Sequence, residues 1–172
     1  MSPTTLARRR SGGASHVEGP DPDSLTVRAV LLASEDREIP TSAIDLAARI
    51  AKRSGAPVHV FTIARVWGTS FGFPNPGLQP TRREWAQQHH NVEKAIGRLE
   101  RKGVKARGRV AGTRAGAKRI VKEARRLGCD AIVMGADPPR HLLIRNLVWS
   151  QEPQRVRRRA RVPVFLVVDQ AA

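Results

Sequence analysis

Short segments rich in Val, Ile, Leu and Ala recur along the chain, each followed by a helix-length amphipathic stretch, and this alternation limits the fold more than any other feature. Residues 26–33 (TVRAVLLA) have the length and branched content of a buried strand, with a polar stop at Ser34-Glu35-Asp36. A helix is expected over 41–54, capped by Thr41 or Ser42, carrying Ala43, Ala47, Ile50 and Ser54 on one face and closed by Gly55. Pro57 opens a second strand, PVHVFTIA. Thr81 and Glu84 form a capping box, and Trp85, His89, Val92, Ile96 and Leu99 then step as one stripe along a helix that ends at Gly103. Residues 104–111 (VKARGRVA) alternate small or apolar with basic, as an edge strand does. A third helix uses Ala117, Ile120, Val121, Ala124 and Leu127 and stops at Gly128. Residues 130–135 (DAIVMG) form a strand, a short basic helix covers about 151–160 with Ser150 as its cap, and Pro163 opens a last strand, PVFLVV.

The order β-α-β-loop-α-β-α-β-α-β predicts an α/β fold, a doubly wound parallel sheet with helices on both faces. In such sheets ligands sit beyond the carboxyl ends of the strands, at the switch point. Ser34, Glu35 and the loop that follows Met134-Gly135 fall on that rim.

At 172 residues the chain is expected to form one domain. Residues 1–24 hold mostly Gly, Pro, Ser, Thr and charge and are expected to be a disordered tail, leaving 25–172 as the domain. Aromatic residues make up 4% of the chain, so the core must be aliphatic. No apolar run reaches membrane-spanning length, and Arg8-Arg9-Arg10 is followed by no apolar segment of the kind a secretory signal needs, so a cytoplasmic protein is expected. A lone cysteine, Cys129, excludes an intrachain disulfide and a Cys-based zinc finger.

Four stretches, in this order and spacing, resemble the universal stress protein family: VLLAS at the end of the first strand, AARIAKRSGAPVHV, LGCDAIVMG and RVRRRARVPVFLVV. The third is close to the family's usual Gly-Ala-Asp-Leu-Ile-Val-Met-Gly. The resemblance covers about residues 26–168. It implies a five-stranded parallel sheet of order 3-2-1-4-5. It also implies a homodimer paired through the last strand, here Val164, Phe165, Leu166, Val167 and Val168. Many family members bind ATP through G-x2-G-x9-G-[S/T] after the fourth strand, where glycines let main chain approach phosphate and a helix start supplies amides.

Here the first glycine is Gly135, but Pro138, Val148 and Trp149 stand at the next three positions, and proline has no N–H to donate. Anchoring on the last strand instead puts Ser150 and Gln151 at the final two positions; a slip of one leaves Ser150 as the hydroxyl. The family's acidic residue after the first strand falls on Glu35. The expected function is therefore a non-enzymatic stress-response or regulatory domain with weak or absent ATP binding and no obligatory cofactor. Two alternatives stay open. One is a nucleotide or anion site with a variant phosphate loop, drawing on Ala33, Ser34, Glu35, Met134, Gly135, Arg140, His141, Ser150 and Gln151. The other is a basic nucleic-acid- or anion-binding module, because the formal net charge is +16, with 31 Lys and Arg against 15 Asp and Glu.

The remaining signals point to packing. His89 and His90 do not face one metal ion, and His59 alternates with Val58 and Val60 on a strand. Ser34 and Ser70 have no recognisable base, so no catalytic residues are assigned. Cys129 reads as a small buried residue. Gly108-x3-Gly112-x3-Gly116 lies in charged context, unlike a membrane packing motif. Trp67, Phe71 and Phe73 lie in a Gly/Pro-rich loop, 66–80, as a lid, a partner contact or aromatics folded onto the core.

Overall fold

Five parallel strands carry the chain, and their side chains alternate between two aliphatic cores. They are Val30–Glu35 (β2), Val58–Arg65 (β3), Ala106–Thr113 (β6), Ala131–Ala136 (β7) and Val164–Asp169 (β8). The helices are Thr41–Ser54 (α1), Arg82–Arg101 (α2), Gly116–Arg126 (α3) and Glu152–Arg159 (α4). Three short strands, Ser15–Glu18 (β1), Thr69–Ser70 (β4) and Phe73–Pro74 (β5), complete the described elements, β4 and β5 forming a hairpin within the 66–80 loop. The structure, a computed structural model, describes residues 15–66, 79–136 and 152–169 and the backbone of 69–70 and 73–74.

The main sheet runs β1-β8-β7-β2-β3-β6. Its parallel part reproduces the implied order, but the sheet has six strands, not five, because β1 adds to β8 antiparallel, with Val17 opposite Val167. Two expectations change as a result. Part of the stretch assigned to a disordered tail is ordered, since Val17 packs against the core and Glu18 holds Arg157 at 3.1 Å. The edge of Val164–Val168 reserved for a partner is occupied by the chain's own residues. The uncharged, buried run Val164–Val168 would make a poor edge, and β1 covers it.

Period-two alternation sorts the cores. Val30, Leu32, Val58, Val60, Val133 and Phe165 face α1 and α2, while Leu31, Ala33, Phe61, Ile63, Met134 and Leu166 face α3 and α4. The first strand starts and ends later than its composition suggests. Arg28 and Ala29 are outside it, Arg28 being forked onto Asp130 (Nη2–Oδ1 2.9 Å), whereas Ser34 and Glu35 are buried strand residues rather than a polar stop. Helix α1 has Pro40 at its N-cap with no side-chain cap, so neither Thr41 nor Ser42 caps it; Gly55 does close it, at φ 63°. The capping box of Thr81 and Glu84 on α2 is present.

The buried face of α2 is Gln88, Asn91, Val92, Ala95 and Leu99, with Trp85 and Ile96 partly buried at its margin. His89 is exposed and stacks on Trp85 at 6.0 Å between ring centroids, so the expected stripe is rotated away from it. The side chains of Trp67, Phe71 and Phe73 lie outside the described residues.

Gly108 and Gly112 explain how closely α2 lies on the sheet. A Cβ on Gly108 would come 2.1 Å from Val92 Cγ1, and one on Gly112 would meet Pro80 at 2.9 Å. Val92 is short and stiff at χ1, so it cannot swing aside. Gly108→Ala should destabilise the fold by about 1–3 kcal/mol through overpacking, read as a lower midpoint in urea unfolding.

Candidate functional site

The switch point of the sheet lies between β2 and β7, where one connection leads to α1 and the other element order runs toward α4. Ala33 pairs with Met134 there, and both are fully buried floor residues. Ser34 points to the α1 side and donates its hydroxyl to the Arg37 carbonyl at 2.9 Å; Asn91 Nδ2 donates to the same oxygen at 3.2 Å. These bonds fix the β2–α1 turn, with Asp36 in the left-handed region at φ 53° and its N–H donated to Ile63 O. Gly135 faces Pro40, and a Cβ there would fall 2.6 Å from Pro40 Cγ. Glycine at 135 thus serves the close approach of the α1 start to β7.

Glu35 points the other way, toward α3. Its side chain is 2% exposed, and among the described residues neither carboxylate oxygen has a hydrogen-bond partner. It lies against Gly116, whose added Cβ would be 2.6 Å from Oε1, so glycine there makes room for the carboxylate. Beside it, Glu152 at the start of α4 turns back and accepts the Ala117 amide at 2.7 Å, capping α3 from a distant part of the chain. Two arginines approach from the solvent side. Arg65 Nε is 3.8 Å from Glu35 Oε1, and Arg155 Nη1 donates to Glu152 Oε1 at 2.7 Å.

Burial first, then the neighbouring charges of Glu152 and Asp36, push the Glu35 carboxyl up to about 7, with Arg65 and Arg155 pulling the other way. At neutral pH it can therefore hold a proton and donate a hydrogen bond, or release it and accept one. Elsewhere, burial pushes the Cys129 thiol up to about 12, which makes it unreactive, and desolvation with nearby Arg107 and Arg126 keeps His59 below the usual imidazole range.

Of the residues expected at the site, the fold brings together Ala33, Ser34, Glu35, Met134 and Gly135. Arg140, His141, Ser150 and Gln151, with Pro138, Val148 and Trp149, lie outside the described residues. Sequence reasoning missed Arg65, Gly116 and Glu152 as site residues. Alternation along β3 could have found Arg65, two positions beyond Ile63 on the Glu35 face. Nothing local marks Glu152 as a partner of residue 117. Among the described residues no cluster of three or more His, Cys, Asp or Glu is placed to hold a metal, and no helix is long and apolar enough to cross a membrane.

The profile described as the universal stress protein family matches residues 26–168. The chain belongs to the universal stress protein family. Solved members of that family share the fold. A universal stress protein from Archaeoglobus fulgidus superposes with a TM-score of 0.62 at 17% identity, covering 81% of this chain and 97% of that one. The Archaeoglobus fulgidus protein in complex with dAMP gives 0.59 at 16% identity over 81% and 96%. A universal stress protein in complex with cAMP gives 0.62 at 19% identity over 85% and 100%. No curated protein matches the chain by sequence.

Because Glu35 takes up its proton more readily folded than unfolded, it costs stability above about pH 7 and ceases to do so as pH falls through the ordinary carboxylate range. Glu35→Gln should therefore be the more stable protein at about pH 8, by on the order of 1–3 kcal/mol, with the gap closing by about pH 4.5. Thermal melts of both proteins across that range would show it, and a Gln variant that is weaker at every pH would contradict it.

Proposed function

We propose that this universal stress protein is a non-enzymatic regulatory domain that acts by binding, and whose rim takes ATP weakly or not at all. The observation that supports this reading is the placement of Glu35 and Glu152 at the start of α3. A helix start that receives phosphate keeps its amides directed at the ligand. Here the Ala117 amide already serves Glu152, and Gly116 is covered by Glu35. A triphosphate reaching this part of the rim would find the Ala117 amide already taken and the outer arginines, Arg65 and Arg155, already facing the two carboxylates. On the α2 side of the β2–α1 turn, a separate groove of about 360 Å³ is lined by Asp36, Glu38, Glu84 and Arg83, with Glu38 paired to Lys94.

A second reading, a variant nucleotide site, draws support from the two relatives in complex with dAMP and cAMP, both monophosphates with less charge to accommodate. In it Ala33, Ser34, Glu35, Met134 and Gly135 line the floor, and Arg140, His141, Ser150 and Gln151 supply donors. A cytoplasmic homodimer completes the proposal, with the qualification that pairing through Val164–Val168 requires β1 to leave β8 or to carry the contact itself.

Calorimetric titration with ATP and with AMP distinguishes the readings. The first expects an ATP Kd weaker than about 100 μM, and AMP binding no weaker than ATP. ATP bound below about 10 μM, or ATP recovered from the purified protein by mass spectrometry, would overturn it.

A further inference from the structure

The outer face formed by α3 and α4 is cationic in a way that average composition does not explain. Each helix has one acidic residue, and both are turned inward. Glu123 is 2% exposed and held by Arg126 at 2.7 Å and Arg109 at 3.6 Å; Glu152 caps α3. The outer face is left basic, and Lys118, Lys122, Arg125 and Arg126 on α3 with Arg159 on α4 line a groove of about 570 Å³ that has Val121 as its apolar wall. Among the described residues, Lys118, Lys122, Arg125 and Arg159 have no carboxylate within ion-pair distance.

We propose that the groove between α3 and α4 is a docking site for the phosphate backbone of a nucleic-acid duplex, separate from the nucleotide rim. Three observations favour this occupant. Lys118, Lys122 and Arg125 follow one another on one helix face at intervals of four and three residues. Their span is about 10.5 Å, and over that length one strand of a duplex presents about three phosphates. Among the described residues the groove has no aromatic side chain, so they offer no stacking surface of the kind that single strands use. Its charges are lysine and arginine on a rigid helix, unopposed by any exposed acid of α3 or α4, which gives charge complementarity to a polyanion.

The test is fluorescence anisotropy with a labelled duplex of about 20 base pairs, titrated with the full chain between about 50 and 200 mM salt. One variant carries Lys118→Gln, Lys122→Gln and Arg125→Gln. A control with the same change in net charge carries Arg82→Gln, Arg101→Gln and Lys105→Gln, all exposed and remote from the groove. The groove variant should lose at least about tenfold in affinity and reduce the slope of log K against log salt by about 2–3, while the control stays within about threefold of the parent. Lys122→Gln alone, with an unchanged melting temperature, should lose about one unit of slope, which separates lost contacts from lost folding. Equal losses in both triple variants would reduce the effect to net charge and overturn the proposal. So would tighter binding of a single strand of the same sequence, or polyglutamate bound as tightly as the duplex with the same dependence on the groove, which would make the partner an acidic protein. Failure to bind ATP leaves this proposal untouched, because the two sites share no residue.

Discussion

Burial of a parallel sheet on both faces governs everything else in this molecule. All six residues of β2 are buried, and the central strands offer no wet face on which polar chemistry could sit. Function is therefore confined to the ends of strands and the outsides of helices. The carboxyl-terminal rim and the α3–α4 surface are two such places, and they carry opposite character. At the rim, carboxylates lie inside and arginines reach them from solvent. On the helices the acids are again inside, and the cations are left unopposed.

That arrangement makes sense of a high net charge in a folded protein. Self-repulsion among 31 cationic side chains weakens a compact state, and it is partly relieved where a buried acid anchors an arginine stem, as Glu123 does for Arg126. Exposed pairs such as Arg28 with Asp130 add little on their own, since both charges remain hydrated. The buried acids are a different matter. Glu35 is tolerated because its proton affinity rises to meet neutral pH, so the chain avoids a fully buried charge without an obligatory ion pair.

Much of the fold was legible in the sequence because strand and helix signals there are local. The capping box at Thr81, the glycine stop at Gly55 and the β-branched run Val164–Val168 each specify their element within a few residues. What was not legible depended on distance. The extra strand β1 is a four-residue segment, Ser-His-Val-Glu, with a single aliphatic residue to bury, and its stability comes from β8, about 150 positions away. The position of His89 was misjudged because the buried face of α2 is defined by Gly108 and Gly112 of β6, which admit Val92 and the end of Trp85. The same glycine spacing, continued to Gly116, was read in the sequence only as unlike a membrane packing motif; in the fold Gly108 and Gly112 admit α2 with Pro80 before it, and Gly116 admits the Glu35 carboxylate. The acidic position after the first strand was recognised, but that its neighbour would be Glu152 follows only from α3 and α4 packing side by side.

The strand β1 lies outside the span shared with the family, which begins at residue 26. A version of the protein trimmed to that span would look complete by homology and yet present a naked ladder of main-chain donors and acceptors along β8. Clumping or pairing of such a fragment would then report on the trimming, and the native assembly state has to be measured on a chain that keeps its own first strand.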